Sequence, residues 1–390
     1  MKVKVNFLHN SNGILEIVYK SDDFEKLITF DVPLDFFITS DSLVGLCIAC
    51  RPVQLKLISF DFDVTHRAKL ILSKDYHCSL YETNLVEVNK VYGFQGYKNK
   101  LIRNKTVLSF SGGVDSMAAH YLCESNADLL SIDFGSWFKR EADFFKRWNT
   151  TILKTDFRNK PFNESDWTFM AAGGILYSDY LGIEILLWGQ VLEAAPWWFD
   201  VKKKNEFVNN GNYLVFNLAN IKIGQVVAAL SEYGTTLVAS MYGREILNKS
   251  IISAAESGSM KSVRKYLLEK IIYKEPIDEQ WIDSLKLKQK GNSGKSFADD
   301  ILGFYFSWKL GIDFVEKYLM NLDDQFKQAS SKFNMSFFEK YNTSNMPSVP
   351  EFLRDGILNK FHALGLEPYS DDDFLNLSKV RSYLSNIYKF

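Results

Sequence analysis

Between Thr106 and Gly234 short apolar runs alternate with stretches of helical pattern, and this alternation narrows the possible folds most. The runs are 107-VLSF-110, 128-DLLSIDFG-135, 150-TTILKTDF-157, 183-IEILLWG-189 and 213-YLVFNLA-219. Among and after them lie DSMAAHYLCES, WFKREADFFKRW, WTFMAAGGILYSDYLG and KIGQVVAALSEYG, which read as helices. Short apolar runs closed by Gly, Asp or Ser suit strands buried on both faces, and a helix is the usual crossover between parallel strands. The expected fold is therefore α/β, with a parallel, doubly wound sheet over about residues 101–245.

The flanks read differently. KVKVNFL, GILEIVYK, KLITFDV and LKLISFDFDV alternate with period two, and Asn-Ser-Asn-Gly at 10–13 is a hairpin signal. Residues 1–100 are expected to form a β-rich N-terminal domain, with 75–105 as the connection out of it. From 246 to 390 strand patterns fade. SVRKYLLEKIIY, EQWIDSLKL, FADDILGFYFSWKLGIDFVEKYLMNL, SFFEKY, EFLRDGILNKFHAL and DDDFLNLSKVRSYLSNIYKF read as helices, with loops at 291–296 and 341–350.

The first apolar run stops abruptly, in 107-VLSFSGGVDSMAAHYL-122. In a parallel sheet, ligands bind outside the carboxyl ends of the strands, where this turn lies. Gly112 and Gly113 let backbone N–H groups approach an oxyanion, and the helix that follows adds its unpaired N–H groups and dipole. Ser111 and Ser116 add hydroxyls. Asp115 repels phosphate, so its place there suits a ligand for Mg²⁺ held by phosphate oxygens. A plain glycine turn with a capping aspartate would explain the residues without any ligand.

The turn lacks the lysine and the spacing of a Walker loop. It resembles the SGGxDS signature of the PP-loop ATP pyrophosphatases, a superfamily of adenine nucleotide alpha hydrolase-like proteins with a HUP-type fold. Members expose the α-phosphate of ATP to a carboxylate, amide or carbonyl oxygen. Attack releases pyrophosphate, and a nitrogen or sulfur nucleophile then displaces AMP. The resemblance implies that Ser109, Ser111, Gly112, Gly113, Val114, Asp115 and Ser116 hold ATP. Ser111, Asp115 and Ser116 would be its catalytic residues and Asp115 its Mg²⁺ ligand. The stretches 131-SIDFGSWFKREADFFKRW-148 and 167-WTFMAAGGILYSDYLGIEILLWGQVLEA-195 are similar to 7-cyano-7-deazaguanine synthase, and imply that Asp133, Phe134 and Gly189 face the nucleotide. The resemblance covers about residues 106–240 and is closest at the loop.

The chain departs from that family in two ways. No cysteine follows Cys123, so the synthase's structural zinc has no ligands here and no zinc is expected. The N-terminal region is additional. An asparagine-synthetase-like amidotransferase would here lack its glutaminase, because residue 2 is Lys2, and thiouridylases need a paired cysteine that Cys123 lacks. The expected activity is adenylation of a small-molecule or peptide acyl substrate, ending in amidation, nitrile formation or ligation. The rival reading is a non-catalytic nucleotide-binding subunit of a multiprotein system.

In 190-QVLEAAPWWFDVKKKNEF-207, Gln190, Glu193 and Trp197 are candidates for the second substrate; packing at a domain interface explains the tryptophans equally well. Lys290 or Lys295, near 291-GNSGKS-296, could close over phosphates from a flexible basic loop. Cys47 and Cys50 have metal or redox spacing, but no second Cys/His pair lies near them, so two half-buried strand or helix cysteines is the plainer reading. A net charge of −1 gives no overall field toward nucleic acid or anionic membrane. Four cysteines in 390 residues suit a reducing cytoplasm, and no apolar run is long enough for a signal peptide or a membrane helix. The N-terminal and helical regions are candidates for contacts with a second copy or a partner protein.

Overall fold

The computed structural model describes residues 2–9, 12–93, 102–123, 126–135, 138–157, 167–199, 214–285, 287 and 289–388. Trp137, Lys286, Lys288 and the run 200–213 lie outside the described residues. The chain divides into two compact units. The first takes in Met1–Ser111, Ser125–Leu187 and Val208–Gly224, and the second Gly112–Glu124, Trp188–Phe207 and Gln225–Phe390.

The first unit is built on a ten-stranded sheet. Its strands are β1 (Lys2–His9), β2 (Ile14–Lys20), β3 (Glu25–Asp31), β4 (Leu57–Phe60), β5 (Ser79–Leu80), β6 (Lys105–Ser109), β7 (Asp128–Asp133), β8 (Thr150–Thr155), β9 (Ile183–Trp188) and β10 (Lys222–Gln225). They lie in the order β10-β9-β6-β7-β8-β3-β2-β1-β4-β5. β6 pairs in parallel with β7 and with β9, and β7 with β8. The order thus reverses at β6, and β6 and β9 flank the switch point where open α/β sheets take ligands.

The hairpin expected at 10–13 joins β1 to β2, which pair antiparallel from Lys4↔Lys20 to His9↔Leu15. The N-terminal strands form no sheet of their own. β3 pairs antiparallel with β8 through Phe30↔Thr155, so the expected boundary near residue 100 falls within one continuous sheet. Two helices there escaped the period-two reading: α1 (Ser40–Ala49) and α2 (His66–Asp75). Every residue of α1 is buried, so it carries no polar stripe to betray it. Cys47 and Cys50 lie on or just after it, buried and unbridged.

Among the sheet's other helices, α4 (Lys139–Phe145) falls inside an expected helical stretch. The long helix expected over 167–182 is a 3₁₀ turn at Trp167–Ala171 followed by α5 (Ala172–Leu176). Two glycines let it sit close on the sheet: a Cβ on Gly173 would stand 2.8 Å from Ile132 and one on Gly174 2.4 Å from Leu186. The fifth apolar run is helix α6 (Leu214–Leu218), not strand, and the real strand, β10, begins at Lys222 inside a stretch that reads as helix. Short apolar runs do not separate buried strand from buried helix.

The second unit is helical. It holds α3 (Val114–Cys123), α7 (Glu232–Ala239), α8 (Arg244–Ala254), α9 (Met260–Ile272), α10 (Glu279–Ser284), α11 (Phe297–Leu310), α12 (Ile312–Tyr318), α13 (Asp324–Ser330), α14 (Glu351–Ala363) and α15 (Asp371–Leu384). Gly311, at φ +96°, divides the expected long helix into α11 and α12. SFFEKY is a 3₁₀ turn at Ser336–Glu339. The loop at 291–296 is braced, not free. Gly291–Asn292 pairs with Met320–Asn321, and both carboxylate oxygens of buried Asp300 accept from Gly294 N at 3.0–3.1 Å. Among the described residues no helix is long and apolar enough to cross a membrane.

Candidate functional site

The sequence-predicted residues fall in both units. Ser109 ends β6, and Ser111 follows it, exposed. The carboxyl of Asp133, at the end of β7, accepts from Gly135 N at 2.9 Å and pairs with Lys146 at 3.2 Å, so it is committed to its own turn. The Phe134 ring is buried against Phe138 and Phe169, which leaves backbone as its free feature.

The rest of the loop belongs to the second unit. Gly112 sits at φ +77°, a conformation that costs other residues energy, and its carbonyl accepts from Ser250 Oγ of α8 at 2.6 Å. That bond turns the carbonyl onto α8. Gly113 O accepts from Met117 N and starts α3, burying Val114 and placing Asp115 in the first turn. The first N–H groups of a helix have no partner within it. Ser116 Oγ donates to Gly113 O at 2.9 Å. Gly189, just beyond β9, lies against the same turn: a Cβ there would stand 3.3 Å from Asp115 O and 3.4 Å from Ser116 Cα. Gly189 is thus a close-approach glycine, and the segments that leave β6 and β9 meet there.

Around Asp115 the helices gather charge that sequence reading did not single out. Asp115 Oδ1 accepts from Thr235 Oγ1 of α7 at 2.7 Å and lies 3.6 Å from Lys265 Nζ of α9. Its side chain is 34% exposed, and among the described residues Oδ2 has no partner. The Lys265 side chain is only 4% exposed, and Nζ stands 3.0 Å from Glu232 Oε2. Yet neither atom makes an aligned hydrogen bond. Arg264 adds its charge 3.9 Å from Glu232 and pairs with Asp299 of α11. Burial works against the Lys265 charge, but Asp115 and Glu232 outweigh it and hold the ammonium above the ordinary lysine value. Burial likewise opposes the Glu232 charge, while Lys265 and then Arg264 pull that carboxyl down to about 2.

Glu193 comes in from the turn Leu192–Ala194 after β9. Its Oε1 accepts from Glu232 N, at the start of α7, at 2.6 Å, and its Oε2 is buried without a partner. Burial, then the negative charge of Glu232, push this carboxyl well above the carboxylate range. The Glu232 backbone thus bonds the Glu193 carboxyl, while their surroundings push the proton affinities of the two carboxyls in opposite directions.

Gln190 and Trp197 are half-buried on the same segment as Glu193. Lys290 donates to Glu316 O at 2.9 Å, which ties it to α12, and Lys295 is exposed. The buried cation beside Asp115 is Lys265. In 261-KSVRKYLLEK-270 it reads as one charge of an ordinary amphipathic helix, and only its burial sets it apart.

Comparison with family models, with curated proteins and with solved structures finds no match.

Proposed function

We propose that the protein adenylates a carboxylate or amide substrate with ATP, releasing pyrophosphate and then AMP as a nitrogen nucleophile attacks. The nearest family pattern is that of 7-cyano-7-deazaguanine synthase, without its zinc. The observation that carries this reading is Asp115. It follows the positive-φ Gly112 in the first turn of α3, one oxygen engaged by Thr235 and one open, with buried Lys265 at 3.6 Å. The strand order β8-β7-β6-β9-β10 supports it, since the loop leaves the strand at which that order reverses.

In this reading the loop N–H groups, Ser111 and Ser116 hold the pyrophosphate end of ATP, and Ser116 exchanges its bond to Gly113 O for a phosphate oxygen. Lys265 meets the negative charge that grows on the leaving pyrophosphate, already ionised because Glu232 and Asp115 hold its proton on. Among the described residues no three His, Cys, Asp or Glu side chains gather as a metal cage. Asp115 with an open Oδ2 nevertheless fits Mg²⁺, which takes one or two carboxylates and completes its shell with phosphate oxygens and water. When bound, the ion would neutralise the pyrophosphate further.

Calorimetric titration with ATP, with and without Mg²⁺, tests the binding half of this reading. The expected result is one site per chain, tighter with Mg²⁺, and losing that Mg²⁺ effect in Asp115→Asn. An unchanged Mg²⁺ effect in the variant would remove the assignment of Asp115.

A further inference from the structure

Buried carboxylates in this protein usually face a cation: Asp179 has Arg103, and Glu232 has Lys265. Asp300, in the first turn of α11, is 0% exposed and is held differently. Its partners are neutral donors. Both of its oxygens accept from Gly294 N at 3.0–3.1 Å, and Oδ2 also accepts from Tyr388 Oη at 2.8 Å. The charges that act on it are of its own sign: Asp299, the preceding residue, which pairs with Arg264, and Asp323, at the start of α13. Tyr383 of α15 is a further titratable neighbour, and Lys295, the cation of the loop itself, is exposed.

This one carboxyl joins two segments distant in sequence. The 291–296 loop is otherwise tied down by Gly291 N to Leu319 O at 2.9 Å, Ser293 N to Asn321 O at 3.1 Å and Ser293 Oγ to Asp323 at 2.8 Å. The tail after α15 is otherwise held by the Tyr388 ring, edge-on to Phe297 with 5.7 Å between centroids. Loop and tail also meet each other, since a Cβ on Gly294 would stand 3.9 Å from Ile387. Removing a carboxylate from water with no counter-charge is costly, and two hydrogen bonds only partly offset it. Burial, helped by Asp299 and Asp323, therefore outweighs the bonds from Tyr388 and Gly294 and raises the carboxyl to about 6, against an ordinary 3.8. A closed junction thus binds a proton more tightly than an opened, hydrated one. The proton's contribution to closure is full below pH 3.8 and is lost as pH rises through about 6.

We infer that Asp300 is a proton-operated latch: protonated, its carboxyl holds the 291–296 loop and the Tyr388 tail on α11, and ionised, it lets both segments open more often. The neutral carboxyl suits the closed geometry, with its O–H donating to Tyr388 Oη and its other oxygen accepting from Gly294 N. The opened loop carries Lys295 with it. The inference is independent of the adenylation reading.

Hydrogen–deuterium exchange on the full chain between pH 5 and 8 tests this, with each rate divided by the intrinsic rate at the same pH. Protection of 291–296 and of 385–388 should fall together by about tenfold across this range, around pH 6, while that of β2 and β3 stays level. Asp300→Asn carries no charge at any pH, yet still accepts from Gly294 N and can donate to Tyr388, so protection should stay high and level. Tyr388→Phe removes a donor that favours the ionised carboxyl, so in this variant the fall should move to higher pH. If Asp300→Asn does not fold, the shift in Tyr388→Phe decides. Level protection in the parent overturns the latch. So does an equal fall in Asp300→Asn, an unmoved fall in Tyr388→Phe, or a matching fall in β2 and β3, which would make the change global.

Discussion

Each unit buries a charged cluster, and the two are finished differently. In the first, Asp179 is wholly buried and its carboxylate is saturated: Thr39 N donates at 2.8 Å, Thr39 Oγ1 at 2.9 Å, and Arg103 closes an ion pair. Arg103 spends its other donors on Ser42 and on the carbonyls of Ala219 and Asn220, leaving only Nε without a partner. In the second, the Lys265 and Glu232 side chains are largely buried and only 3.0 Å apart, yet neither Nζ nor Oε2 makes an aligned hydrogen bond, and Glu193 and Gln225 add further unsatisfied atoms. Low dielectric makes the first kind of network rigid and the second costly. The Asp179 cluster is scaffold: it ties α1, the approach to β6 and the turn before β9. On the proposed reading, the Lys265 cluster keeps charge ready for the nucleotide.

The largest effect should separate the two at once. Asp115→Asn can still accept from Thr235, so its melt should be near normal while AMP formation falls by about a hundredfold or more. Asp179→Asn should do the reverse. It should destabilise the protein by about 3–5 kcal/mol in a denaturant titration, with unchanged turnover per folded molecule. A turnover loss in Asp179→Asn matching that of Asp115→Asn would erase the comparison.

Next comes Lys265→Met. It strands Glu232, so stability should drop by about 3–5 kcal/mol together with turnover. Adding Glu232→Gln should recover most of the stability and none of the turnover, and recovery of both would make Lys265 a purely structural residue. A smaller effect lies in pH. Glu232 is held at about 2 against an ordinary 4.5, so it binds a proton more readily when unfolded. Its contribution is present above pH 4.5 and is lost as pH falls toward 2. Glu193, pushed upward, acts in the opposite sense: its contribution is present at low pH and is lost as pH rises through its folded value. Denaturant titrations over this range should show a shallower acid limb in Glu232→Gln than in the parent. The smallest effect is Gln225→Leu, which removes two unsatisfied atoms and should raise stability by about 1 kcal/mol, read from the same titrations.

Sequence reading reached the parts of the structure with local signatures. The strands β6 to β9, the hairpin of β1 and β2 and most of the C-terminal helices carry periodic or turn signals of their own. It missed α1 because a helix buried on every side has no stripe, and it exchanged α6 and β10 because four or five apolar residues look alike in either state. It could not see that β3 pairs with β8, since pairing between distant strands leaves no mark in either strand's own pattern. The loop from Ser111 to Ser116 was legible because backbone geometry demands glycine there. Lys265, Glu232 and Gln225 were not, since each looks ordinary among its neighbours and only burial makes it unusual.

The most direct test of the central claim is the product made from ATP. The protein is incubated with ATP labelled at the α-phosphate, Mg²⁺, ammonia and a pool of small carboxylates and amides, and the products are separated by chromatography. The account predicts labelled AMP and an equal amount of pyrophosphate, both lost in Asp115→Asn. Labelled ADP with free phosphate, or AMP formation unaffected by that substitution, would contradict it.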